Sequence, residues 1–202
     1  MARIQPLDPA AAPADVRGTL ENLPPLNIFR TLAHAESAFR PFLRFGGAVL
    51  GQMALDPVVR ELAILVVAKE AEAEYEWIQH VAIAKHLGAR DEQIAAIAAA
   101  DSCSSEGADE RIRQAGDGQL FDKRQRAAIE LAAAVVRGPQ VSSDLWDCVR
   151  PQFSDREVIE LLLAIGEYLM LARVMTVLEI DVDEAAGDAV LQGRRDRPGD
   201  LA

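Results

Sequence analysis

Cysteine is almost absent from this chain. Its 202 residues hold two, Cys103 and Cys148, far apart and without a Cys-x-x-Cys spacing. That excludes a disulfide framework and a zinc knuckle, and it suits a reducing, cytoplasmic location. Aromatic residues make up only 5% of the chain, while half of it is apolar and rich in alanine, a balance that favours helices over sheet. Positive charge is also short: 21 Lys and Arg face 32 Asp and Glu, for a net charge of −11 and a pI near 4.7. Nucleic acid and anionic membrane surfaces are therefore not expected partners. The start, Met1 to Pro9, has no apolar signal core, and no apolar run reads as long enough to span a bilayer. The length suits one domain, or two closely packed halves.

Within these bounds the chain reads as a succession of helices. Residues 1–14, with Pro6, Pro9 and Pro13, read as a flexible arm. Short helices are expected from Asp15 and from Asn27, and a longer one from Glu36 to Leu50 in spite of Pro41 and Gly46-Gly47. Asp56-Pro57 opens a helix apolar around most of its circumference, which should lie deep in a core. A further helix runs from about Ala73 to Leu87 and stops at Gly88, and Asp91 opens the next. Residues 101–119 form a polar linker that carries Cys103. Beyond it, Phe121-Asp122 starts a helix, Ser142 or Ser143 a shorter one, and Ser154 to Glu157 has the form of a capping box ahead of a long apolar helix to about Leu178. The main domain is thus expected over 15–180, with 181–202 a polar, frayed tail.

The densest cluster of chemistry-bearing groups lies between Arg60 and His86. Glu61 sits near the start of one helix, where the dipole favours an anion. Glu76 and His80 are four residues apart on the next, hence neighbours on one face. Two carboxylates and an imidazole are expected to meet between the two helices. Spacing alone fits a solvated ion-pair face equally well. An internal repeat adds weight. Leu55 to Leu65 matches Phe121 to Leu131, with Arg60 answering to Arg126 but Glu61 to Ala127. The second copy keeps the packing and lacks the polar trio, an asymmetry that packing does not require.

The stretch Arg60-Glu61-Leu62, then Glu74-Tyr75-Glu76-Trp77-Ile78-Gln79-His80, then Ala84-Lys85-His86-Leu87-Gly88 resembles the carboxymuconolactone decarboxylase and alkylhydroperoxidase D superfamily. Its thiol peroxidase branch carries a Glu, a gap, and Cys-x-x-Cys-x-x-x-His. On this chain those positions are Glu61, Ala73, Glu76 and His80, so both thiols are missing. The form is similar to a cysteine-free branch, which Asn27-Ile28-Phe29-Arg30, Ala33-His34 and Leu43-Arg44-Phe45-Gly46-Gly47 also fit. The resemblance implies an all-α fold of about eight helices in two related halves, and a trimer or hexamer.

The expected chemistry follows from the trio. A His beside a carboxylate serves as a general base near neutral pH, and two carboxyls in a partly dry pocket split into an anion and an acid. Glu61, Glu76 and His80 are therefore the expected catalytic residues. Tyr75, Arg60 and His34 are candidates to bind a small lactone or carboxylated substrate. No cofactor is implied. A metal is disfavoured, since zinc and iron sites use more His and His86 points elsewhere on its helix. A thiol peroxidase and a non-catalytic binding or assembly module of the same fold are the alternatives.

Overall fold

A computed structural model describes residues 1–100, 120–138, 140–187 and 189–192. The expected linker 101–119, with Cys103, lies outside them, as does the chain beyond 192. The described residues form helices and no strand: α1 (Ala14–Leu20), α2 (Asn27–Leu32), α3 (Glu36–Gly51), α4 (Pro57–Glu70), α5 (Glu74–Leu87), α6 (Asp91–Ala99), α7 (Lys123–Arg137), α8 (Ser143–Val149), α9 (Asp155–Leu178) and the four-residue α10 (Ala189–Gln192).

The centre of the fold is α4. Every residue from Val59 to Ala68 is buried, and the helix packs against α5, α6, α7 and α9. Its start is fixed by Asp56, whose carboxylate accepts from the Val58 and Val59 amides, with Pro57 at the first helical position. Burying each large side chain, such as Leu62, Ile64 and Leu65, contributes on the order of 1.5–3 kcal/mol. The repeat seen in the sequence has a structural counterpart. Asp122 caps α7 as Asp56 caps α4, Phe121 is buried as Leu55 is, and Ala127 occupies a buried position as Glu61 does.

The chain reverses between α4 and α5 through Glu72, a non-glycine residue at φ 54°. The Ala73 amide reaches back to the Ala68 carbonyl, closing the end of α4. This tight return lays α5 against α4 and brings its first two turns over Glu61. Gly88, at φ 107°, ends α5 in the left-handed conformation that glycine adopts at little cost.

Three expectations are corrected. The arm 1–14 is not free: Ala2 and Ala12 are buried, the Arg3 amide donates to the Leu178 carbonyl, and Leu7 and Arg30 exchange hydrogen bonds. The tail is not frayed as far as residue 187. Asn27 donates through its backbone amide to Asp183 at 2.6 Å and through its side chain to the Asp181 carbonyl. A frayed reading followed from polar composition, which says nothing of specific hydrogen bonds. Finally, α9 is long and apolar enough to cross a membrane by length and composition, contrary to the sequence reading. Its Ser154 capping box, its buried Glu167 and its packing on α4, α7 and α3 make it a core helix here. One stripe of α9 stays outside. Ile159, Leu163, Met170 and Val177 are each 45% to 57% exposed, with exposed Gly166 and Arg173 between them.

Candidate functional site

Glu61 is wholly buried on the inner face of α4, and it is the hinge of the site. One of its oxygens accepts two bonds from the Arg60 guanidinium, at 3.0 Å from Nε and 2.9 Å from Nη2. The other lies 2.7 Å from His80 Nδ1. Burial alone would raise this carboxyl, but the imidazole first and the guanidinium second outweigh it and hold it below its ordinary value. The ionised carboxylate only accepts, so Nδ1–H donates to it. The neutral ring then carries its lone pair on Nε2, away from Glu61. The Tyr168 ring meets the imidazole edge to face, with centroids 4.5 Å apart and planes at 80°, which fixes the ring orientation further.

His80 lines a cavity of about 60 Å³ between α2, α3, α5 and α9. Its walls are chiefly apolar, including Phe29, Phe42, Leu50, Ile83 and Met175, and its polar groups include Glu76, Gln79 and Glu167. Among the described residues no Lys or Arg lines it. Glu76 is 2% exposed, and neither of its carboxyl oxygens has a hydrogen-bond partner among the described residues. Burial, then Glu167, then Glu61 push this carboxyl well above its ordinary value. That shift favours the carboxylic acid form, which has an O–H to give.

Glu61, Glu76 and His80 are thus brought together, His80 bridging a buried anion and a cavity that Glu76 also lines. The other three expected residues fall differently. Arg60 is 3% exposed and spends its guanidinium on Glu61; it does not line the cavity. His34 lies on the surface, with Nε2 3.0 Å from the Gln5 carbonyl oxygen, and does not line the cavity either. Tyr75 does line it, but its hydroxyl donates to Asp183 and accepts from the Ile28 amide. Burial and the Asp183 carboxylate raise the phenol far above its ordinary value, so it stays protonated. Among the described residues no group of three His, Cys, Asp or Glu is arranged to hold a metal. Cys148 is exposed on α8 and does not line the cavity.

Two features escaped the sequence reading. One is Glu167, buried on α9 and lining the same cavity as Glu76. A lone Glu inside the apolar run Leu161 to Leu171 was the available signal. The other is a strap formed by residues 181–187. Gln79 donates to the Glu184 carbonyl at 3.0 Å and accepts from the Ala186 amide at 2.9 Å. The strap leads to α10, whose Val190 lines the cavity.

Comparison with known proteins bears on this arrangement. Residues 36–115 match the carboxymuconolactone decarboxylase family model. No curated protein matches the chain. Among solved structures, an uncharacterised peroxidase-related protein from Ralstonia eutropha JMP134, described as an alkylhydroperoxidase AhpD core, is similar at a TM-score of 0.70 and 19% identity, covering 96% of each chain. A peroxidase-related protein from Silicibacter sp. TM1040 is similar at 0.63 and 18%, over 78% of this chain and 76% of its own. The debrominase Bmp8, solved as a cysteine-to-alanine variant with 2,3,4-tribromopyrrole, is similar at 0.70 and 17%, over 95% and 96%. Identities this low speak for the fold, and the matched segment contains Glu61, Glu76 and His80. Residues 36–115 are thus similar to the carboxymuconolactone decarboxylase family, and the chain shares the helical fold of these alkylhydroperoxidase D-like structures.

Proposed function

We propose that the protein is an enzyme that performs acid–base chemistry on a small organic substrate, with His80 as base, Glu61 as the anion that orients it, and Glu76 as acid, without redox thiols. The observation that carries this reading is the 2.7 Å contact of Glu61 with His80 Nδ1, which leaves Nε2 as the free base beside a cavity that also holds a carboxylic acid. Such a pair removes a proton from a carbon next to a carbonyl and delivers one to the carbonyl oxygen. Returning the protons elsewhere shifts a double bond; the same groups assist lactone opening or decarboxylation. The lack of a cation in the lining favours a neutral lactone over a carboxylated substrate, because a carboxylate entering beside Glu76 and Glu167 meets repulsion and no counter-charge.

A thiol peroxidase is disfavoured because Ala73 and Glu76 stand where that branch has its two cysteines. The test uses deuterium exchange by NMR on a panel of neutral lactones and their carboxylated counterparts. His80→Ala should slow exchange by about two to four orders of magnitude, the usual contribution of a positioned base. The double variant Cys103→Ser, Cys148→Ser should keep the wild-type rate. Loss of turnover in the cysteine variant with His80→Ala unaffected would reverse the assignment.

Self-association belongs to the same reading. The exposed stripe on α9 runs Ile159, Leu163, Gly166, Met170, Arg173, Val177, spaced alternately four and three apart, the interval of a helix seam. A second copy of α9 supplies the matching stripe, so the proposed partner is another protomer.

A further inference from the structure

Four carboxyls and one imidazole lie in or near the cavity, and the reading above uses only three of these groups. Asp183 is engaged by Tyr75 and Asn27 in the strap. Glu167 is not accounted for. It is 4% exposed, it comes from α9 rather than from α4 or α5, and it lines the same cavity as Glu76. Glu76 meanwhile has two buried oxygens without a partner, in a cavity without a cation. Two buried carboxyls facing one small space cannot both ionise cheaply, since like charges there are neither screened nor solvated.

We propose that Glu167 is a further residue of the proton-transfer site, a positioning carboxylate that faces Glu76 across the cavity and keeps one proton on the pair, at Glu76, ready for the substrate oxygen. The proposal rests on the acid–base reading of His80 and extends it. In the forward step His80 Nε2 takes the proton from carbon and becomes imidazolium. The C–H electron pair moves to form an enol, and Glu76 O–H passes its proton to the former carbonyl oxygen. Glu76 is left as a carboxylate beside Glu167, and net charge is conserved. As the carbonyl re-forms, the imidazolium delivers its proton to another carbon of the substrate and the enol O–H returns its proton to Glu76, a return favoured by the repulsion between the two carboxylates. Glu167 thereby resets the acid each turn. The charged and titratable groups around Glu76 are Glu61 and Arg60 from α4, His80 from α5, Glu167 and Tyr168 from α9, and Tyr75 with Asp183 at the strap. Arg60 is spent on Glu61, and Glu167 lines the same cavity as Glu76.

Infrared difference spectroscopy of the ligand-free protein during a pH titration tests this, because a buried carboxylic acid has a carbonyl band distinct from that of a carboxylate. Wild type should show such an acid band at neutral pH, and Glu76→Gln should remove most of it. In Glu167→Gln the band should persist but disappear at lower pH than in wild type. Removal of a neighbour with a merely structural role would not move that midpoint. Should Glu167→Gln fail to fold, Glu76→Gln carries the reciprocal test: any remaining Glu167 band must titrate lower than the wild-type band. The absence of an acid band in wild type, or a midpoint indifferent to the partner's removal, overturns the pair. Exchange catalysed by His80 would survive that result, so failure of the pair and failure of the acid–base reading are told apart.

Discussion

Replacing Glu76 by Gln should make the protein less sensitive to rising pH. In the unfolded chain this carboxyl ionises around its ordinary value of 4.5; in the fold, burial first, Glu167 second and Glu61 third keep it protonated well above that. The sign follows from linkage. Above 4.5 the native state holds a proton that the unfolded state has lost, so stability falls as pH rises, and the fall stops once the folded group ionises. One extra proton corresponds to about 1.4 kcal/mol for each pH unit between the two ionisations, a sizeable part of the ~5–15 kcal/mol a domain usually has. Gln copies the protonated acid in shape and cannot ionise, and Glu167, relieved of a neighbouring carboxyl, holds a proton less readily. The variant also buries an amide without a partner, but that cost does not vary with pH. The slope is therefore the quantity to read. Urea unfolding of wild type and Glu76→Gln across this range should give curves that diverge as pH rises, with the variant gaining. Parallel curves would mean that Glu76 is ionised in the native state, and the assignment of Glu76 as the acid would go with it.

Glu61→Gln should destabilise the fold by about 3–5 kcal/mol, because it strands the buried Arg60 charge, and Arg60→Met with Glu61→Gln should recover part of the loss in a thermal melt. The Glu61 contribution has the opposite pH sense to that of Glu76: its depressed carboxyl adds stability that is present above the ordinary value of 4.5 and lost as pH falls through the folded value. Asp183→Ala should free the strap, seen as faster amide exchange over 181–187 with little change in α4. Leu163→Glu with Met170→Glu should reduce the mass measured by light scattering to that of a monomer, with the helical circular dichroism retained.

Helix positions were legible in the sequence because their ends are chemically marked. Asp56-Pro57, Asp122, Ser154 with Glu157, and Gly88 each satisfy or release specific backbone groups, and all act at those positions in the structure. Asp91 shows where such marking is ambiguous: it looks like a cap, yet it stands inside the first turn of α6 and pairs with Lys85, while Arg90 occupies the cap position. Asn27 likewise begins its helix rather than capping it. The meeting of Glu61 with His80 was legible from a short turn and helical spacing. The partners that arrive from far along the chain were not. Glu167 is 91 positions from Glu76, and Asp183 is 108 from Tyr75, so only the packing of α9 and the course of the strap bring them in.

This division has a physical origin that bears on how the site works. The proposed base is assembled from neighbours, α4 and α5, joined by a tight turn, so its geometry is set by local structure and by the deepest part of the core. The proposed acid side depends on α9 and on the segment that follows it, which line the cavity with it. Glu61 is neutralised by Arg60 and hydrogen-bonded by His80. Glu76 is neutralised only by its own proton. The wall around it cannot supply a counter-charge without abolishing the acid, since a Lys or Arg in the lining would pull the carboxyl down and ionise it. On the proposed reading, the absence of a cation from the cavity among the described residues, the unpartnered oxygens of Glu76 and the nearby Glu167 are three aspects of one requirement. A carboxyl proposed to keep and return a proton has to be left without compensation, and the well-packed core of α4 carries the resulting loss of stability.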